Sequence, residues 1–233
     1  MFVSKRLLGR VPNITLLNTL TAGTYSVYMI PGVYDITACA PGGGGVCGYN
    51  GRTGSYSGRA RGGVGGTVRI RIRVNAACTA TVTIPSTVGG AGHWHGSPSV
   101  FNQDWVNAGE AWTAPTAGAT TITGIPGLSL TCYGGTGASF YGTTNASGTG
   151  TPGVQGSVAI SGSAIISVSV NSNNTPITSL AATGIQPNTN EPFTAHDITG
   201  GTNYNKPGYG GTPGSRGGGG TGGWGHVRIE RLS

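Results

Sequence analysis

Apolar and polar residues alternate with a period of two along much of the chain. The cleanest run is "TVRIRIRV" (67–74), with Val68, Ile70, Ile72 and Val74 on one side and Arg69, Arg71 and Arg73 on the other. Successive side chains of an extended strand point to opposite faces, so this run predicts a half-buried β-strand. "TYSVYMI" (24–30) alternates in the same way. "VYDITACA" (33–40) comes after it across Pro31-Gly32, a turn dipeptide, so 24–40 reads as two strands about a tight turn. "CTATVTI" (78–84) comes after 67–74 across Asn75-Ala76-Ala77 and reads as its hairpin partner. Further strands are predicted at 128–133, 157–161, 164–170 and 226–232. Only the first twenty residues have room for a helical turn, and Pro12 cuts it. The pattern predicts an all-β, antiparallel sandwich-like fold.

Glycine changes that picture. The 233 residues include 46 glycines and 13 prolines, together about a quarter of the chain. Such a share approaches that of disordered segments, and glycine loses the most freedom on ordering. Two features argue for a folded chain all the same. Charged residues make up only 8%, whereas disordered chains carry many, and the hydrophobic 36% falls largely in alternating runs. The glycines gather between the strands in five islands, 42–45, 62–66, 89–92, 134–137 and 208–225. They obey no fixed repeat period, which excludes a solenoid and collagen.

Such islands have three conceivable uses. A nucleotide cradle fails, because no Gly-Lys-Ser/Thr triplet occurs and "YNGRTGSYSG" cannot form the helix a dinucleotide fingerprint needs. An RNA-binding Arg-Gly-Gly tail has two short copies, "RARGG" (59–63) and "SRGGGG" (215–220), each abutting a strand. The third use is structural and explains the recurrence. Extended polyglycine-type segments pack side by side, and without Cβ atoms their backbones satisfy one another's hydrogen bonds. Gly42, Gly43, Gly44, Gly45, Gly217, Gly218, Gly219 and Gly220 are the expected structural glycines. Tyr49, Tyr56, Trp94, Tyr133, Tyr204, Tyr209 and Trp224 are the aromatics expected to cover them.

In this order the pieces resemble the glycine-rich domain of bacteriophage tail fibre and related virion proteins. "GTYSVYMIPGVYDITACAPGGGG" (23–45) is similar to the family's opening. "GGVGGTVRIRIRV" (62–74) and "ATVTIPSTVGGAG" (80–92) are similar to its next glycine run, strand and glycine turn, and "GGGGTGGWGHVRIERLS" (217–233) to its usual ending. The stretch "FNQDWVNAGEAWTAPTAG" is richer in Trp and poorer in Gly than the family's pattern. The resemblance implies a structural virion component of a phage tail, made in the host cytoplasm and working as a homo-oligomer, with a trimer favoured. About twenty residues precede the domain, so a short fibre, tip, cap or adaptor is expected: 1–22 as an N-terminal attachment segment, 23–233 as the glycine-rich β domain. The alternative is a dedicated receptor-binding adhesin recognising a surface glycan or protein.

Charge and candidate chemistry refine these expectations. Thirteen Lys and Arg against six Asp and Glu give +7, thinly spread, and a basic surface suits a polyanionic partner. Lys5, Arg6 and Arg10 on the N-terminal segment and the stripe Arg69, Arg71, Arg73 are the candidate assembly contacts with other tail proteins. Three like charges on one strand face need carboxylates or solvent. Tyr49, Tyr56, Trp94, Trp105, Trp112 and Tyr141 lie in loops rich in Asn and Ser, as adaptable binding surfaces do, and are the candidate contacts with a bacterial surface receptor. Asp104 and Glu110 near Trp105 and Trp112 fit a sugar-binding loop better than a catalytic pair. No Gly-x-Ser-x-Gly elbow occurs, and no enzyme activity or cofactor is expected. His93 and His95 share one side of an extended "HWH" and read as surface residues about a buried Trp94 rather than as metal ligands. Cys39, Cys47, Cys78 and Cys132 lack CxxC spacing and no secretory signal opens the chain, so reduced, mostly buried thiols are expected, with a Cys39–Cys132 or Cys47–Cys78 bridge left open. Neither nucleic-acid binding nor membrane insertion is expected.

Overall fold

The computed structural model describes residues 13–50, 55–88, 91–92, 111–144, 147–170 and 222–232, and these form strands with no helix. A first sheet takes β1 (Ile14–Thr19), β16 (His226–Leu232), β3 (Gly32–Cys39), β6 (Thr67–Val74) and β15 (Ile165–Val170) in that order. A second runs β14 (Val158–Ser161), β11 (Ser129–Cys132), β10 (Thr120–Thr123), β7 (Cys78–Ile84) and β2 (Gly23–Met29). Every pairing in these two sheets is antiparallel. Their inward residues form one core, including Tyr34, Ile36, Val68, Ile70 and Ile72 from the first sheet and Val27, Met29, Val82, Ile122, Leu130 and Ile160 from the second. Burying each large apolar side chain contributes about 1.5–3 kcal/mol, which is what holds the two sheets together. The fold class is all-β, and the alternation in 67–74 is oriented as the sequence indicates: Val68, Ile70, Ile72 and Val74 are buried.

The pairing of neighbours differs from the sequence reading. β6 and β7 are not a hairpin: β6 pairs with β3 and β15, while β7 pairs with β2 and β10. The short 75–77 link arches from one sheet to the other. The links β2–β3 and β14–β15 join opposite sheets in the same way. Alternation fixes which side chains face the core, and both a hairpin and an arch satisfy it; long-range pairing decides between them. Tyr34 pins the first arch by donating its hydroxyl to the Ile30 carbonyl at 2.6 Å, and Tyr25 pins the β1–β2 link through the Thr21 carbonyl at 2.8 Å. The only described turn with two left-handed glycines, Gly124 (φ 80) and Gly127 (φ 73), closes the true β10–β11 hairpin.

At the end of the sandwich away from these arches, strands run on into segments that belong to no sheet. Residues 40–45, 61–66, 114–118, 133–138, 152–157 and 222–225 are extended and linked by backbone hydrogen bonds. Ala40 and Gly43 donate to the carbonyls of Gly66 and Gly63, and Gly63 and Gly66 to those of Thr136 and Tyr133, all at 2.8–2.9 Å. Gly153 and Gly156 donate to Arg61 and Val64, at 2.8 and 2.7 Å, and Gly135 and Ala138 to Pro41 and Gly44, at 3.1 and 2.9 Å. In every case the donors and the acceptors step by three residues. Three residues is one turn of a polyproline II-type helix, so each neighbour is addressed once per turn and one segment serves several neighbours in different directions. This requires glycine where backbones touch. A Cβ on Gly43 would lie 2.0 Å from the Thr136 carbonyl oxygen, and one on Gly63 1.9 Å from that of Val154. Gly42 to Gly45 are buried within this bundle; Gly217 to Gly220, with most of the 208–225 island, lie outside the described residues.

Beyond the bundle the segments open into two small sheets, β5 (Ser55–Ala60), β4 (Val46–Asn50) and β8 (Ala91–Gly92), and β13 (Ser147–Thr151), β12 (Ser139–Thr144) and β9 (Ala111–Thr113). They lie against each other, and Val46, Ala60, Ala114, Ala138 and Phe140 form a second small core beneath them. β4 and β8 run parallel, the one parallel pair among the described strands. Residues 14–19, placed by sequence in the N-terminal segment with room for a helical turn, are instead strand β1, whose partner is β16. The ladder to β16 overrides any local helical tendency, so β1 belongs to the sandwich.

Candidate binding surfaces

The outer face of the first sheet carries the arginine stripe. Register places Asp35 of β3 between Arg71 of β6 and Glu230 of β16, and Thr37 between Arg69 and Arg228. Asp35 is 7% exposed and its carboxylate accepts two bonds from Arg71, Nε to Oδ1 at 2.7 Å and the terminal nitrogen to Oδ2 at 2.9 Å. Arg69 adds a third contact at 3.3 Å. The stripe is therefore organised on a carboxylate of the neighbouring strand, a residue to which sequence reading gave no role. The signal was present: Asp35 is the only charge in 33–40 and falls on the outward phase of the alternation. Burial alone raises the Asp35 pKa, but the bonds and charge of Arg71, and then Arg69, outweigh it and hold the carboxyl below its ordinary value. Arg228 pairs with Glu230 further along the same face. Among the described residues this face holds four guanidinium groups, Arg69, Arg71, Arg73 and Arg228, against the carboxylates of Asp35 and Glu230, leaving it net positive.

Where this sheet meets the bundle, His226 is 2% exposed. Its Nε2 lies 2.8 Å from Asn18 Oδ1, and an amide oxygen only accepts, so Nε2 carries the proton and joins β16 to β1. Nδ1 is buried without a partner. Burial, and then the charge of Arg228, push the His226 pKa down to about 4. Cys39, directly opposite His226 in the register, is fully buried, and burial pushes its thiol up to about 12. Cys39, Cys78 and Cys132 are all free, so neither bridge left open by the sequence forms; Cys39 and Cys132 are buried and Cys78 half-buried. Among the described residues no group of three His, Cys, Asp or Glu could hold a metal ion, and no helix is long and apolar enough to cross a membrane.

The candidate receptor residues divide. Tyr49 and Tyr56 are brought directly opposite each other on β4 and β5, and Trp112 stands opposite Phe140 on β9 and β12. Tyr141, next along β12, is 55% exposed. All four therefore belong to the two small sheets at the far end of the bundle. Trp94, Trp105, Asp104, Glu110, His93, His95, Lys5, Arg6 and Arg10 lie outside the described residues. Two aromatics expected to cover the islands do so only in part, Tyr133 being 47% and Trp224 42% exposed. No protein-family model and no curated protein matches the chain.

Proposed function

We propose that this chain is a structural, non-enzymatic component of a bacteriophage tail, a short fibre, tip or adaptor. In this reading it joins neighbouring tail proteins at one pole, meets the bacterial surface at the other and works as a homo-oligomer, with a trimer favoured. The observation that carries the reading is the lengthwise polarity of the fold. β1 starts and β16 ends at the arch pole of the sandwich, with the register pairing Ile14 to Arg231 and Leu232 to Val33. The aromatic-bearing small sheets stand at the opposite pole, beyond the glycine bundle. A spacer held together largely by backbone hydrogen bonds suits a part that must hold two functional ends apart, and the net positive face of the first sheet suits a contact with acidic neighbours. Exposure of Tyr141 on the outer sheets favours an adhesive role beside the structural one, since exposed tyrosines are common binding anchors.

The test is binding of the labelled full chain to a panel of bacterial strains, with the solution mass measured by light scattering. The expected outcome is saturable binding confined to some strains and a trimeric mass. Tyr141→Ala should weaken that binding by roughly tenfold at unchanged melting temperature. A well-folded monomer that binds no strain would overturn the reading.

A further inference from the structure

The cleft where the sandwich meets the glycine bundle carries a feature that the tail reading leaves unused. Trp224 is 42% exposed although Gly222, Gly223 and Gly225 around it are buried. Trp224 borders a half-open cavity of about 420 Å³, lined also by Leu20, Thr21 and Ala22 from the β1–β2 link and by Pro85, Ser86 and Thr87 from the segment after β7. That volume falls within the range of small-molecule sites, about 300–1,000 Å³. We propose that this cleft binds a neutral pyranose, either a free sugar or the end of a surface glycan, stacked on Trp224.

Three observations lead to that ligand. First, the walls are fixed in advance. Gly222 donates to the Val88 carbonyl at 3.0 Å, and a Cβ on Gly225 would lie 2.7 Å from Ile84 Cγ2, so the backbone on both sides of Trp224 is seated. Tyr25 holds the carbonyl of Thr21, and Gly118 lies close against Pro85. Little freedom remains to be lost when a ligand enters, which is the condition for a weakly interacting ligand to bind at all. Second, among the described residues no ionisable side chain lines the cavity, so these walls offer no charged partner to a phosphate, carboxylate or ammonium group. Third, the lining combines one tryptophan with the hydroxyl-bearing residues Thr21, Ser86 and Thr87. A pyranose presents the complementary surface, an apolar face of axial C–H groups edged by hydroxyls that both donate and accept. A proline-rich peptide is the next candidate, but such peptides dock in grooves lined by several aromatics, and among the described residues Trp224 is the one aromatic in this lining.

The site is separate from the small sheets at the far end, so it stands or falls independently of the receptor reading. The test uses the full chain with the methyl glycosides of glucose, galactose and mannose, monitored by ligand-observed saturation-transfer NMR and calorimetry. N-acetylneuraminic acid and a proline-rich decapeptide serve as competitors. Saturable binding of at least one neutral glycoside is expected, unaffected by either competitor. Trp224→Ala should weaken it by roughly tenfold or more, while Trp224→Phe, which keeps a stacking face, should retain most of it. Ala22 is exposed, so Ala22→Trp fills the cleft without disturbing the core and should abolish binding even if Trp224→Ala fails to fold. Failure of all three glycosides to bind, binding that survives Ala22→Trp, or displacement by the peptide would each overturn the proposal.

Discussion

Whether a glycine matters in this chain depends on what its absent side chain would touch. At Gly43 and Gly63 the obstacle is a backbone carbonyl of another segment, which cannot swing aside. At Gly32 it is the Arg231 Nε, 3.0 Å away at the end of a long side chain. Gly43→Ala and Gly63→Ala should each lower stability by roughly 3 kcal/mol in denaturant titrations, the upper end of what overpacking costs, because the neighbour is rigid backbone. Gly32→Ala should change it by less than about 1 kcal/mol. Equal losses at the three positions would show that the bundle yields. The sequence makes the glycine islands plain, yet it cannot say which glycine is clamped, because each clamping partner sits on a segment distant along the chain. The cysteines obey the same logic: sequence spacing left two bridges open, and Cys39, Cys78 and Cys132 are free thiols in the fold.

At the scale of elements, two buried groups tie strands together and both respond to pH. The folded pKa of Asp35 lies below the ordinary value of 3.8, so its stabilisation is complete above that value and is lost as pH falls through the folded pKa. Asp35→Asn should cost about 1–3 kcal/mol at neutral pH, because it leaves Arg71 without its carboxylate, and should flatten the acid limb of the stability curve below pH 4. His226 is displaced in the same direction, from 6.5 to about 4, so the unfolded chain takes up its proton first. Stability from keeping His226 neutral is complete above pH 6.5 and is lost as pH falls towards about 4, the groups facing it being Asn18, Cys39 and Arg228. His226→Gln retains a donor for Asn18. It should remove the pH dependence of melting between 6.5 and 4. A wild-type melting temperature that stays flat across that window would exclude a neutral buried imidazole. Strand positions such as 67–74 and 226–232 were readable because burial imposes a period of two. Which strands pair was not: arch and hairpin share that period, so Asp35 could not be matched to Arg71 before the sheet order was known. β4 and β5, "VCGYN" and "SYSGRA", escaped notice because few apolar residues mark their alternation.

At the scale of the whole molecule, the order along the long axis is sandwich, bundle, small sheets, and the middle layer should be as rigid as the ends. The amides of Gly43, Gly63, Gly66, Gly135, Gly153 and Gly156 are hydrogen-bonded in segments that belong to no strand. Ordinary loop amides exchange freely, whereas these should exchange as slowly as those of β3 and β6. Fast exchange at these glycines with slow exchange in β3 would mean that the bundle opens apart from the sandwich. The Gly-rich composition suggests a packed role for the islands; the layered order, and with it the separation of the arginine face from the outer aromatics, depends on long-range pairing that no local pattern encodes.

The three-residue step also limits how such a molecule can change length. Adding one or two residues to a single segment would rotate every later donor away from its neighbour and towards another. Adding three restores the directions but lengthens that segment by roughly 9 Å, so its neighbours must grow with it. The bundle can therefore lengthen only in whole turns taken by all its segments together. Descendants of this chain should thus resemble combs cut to a few fixed lengths.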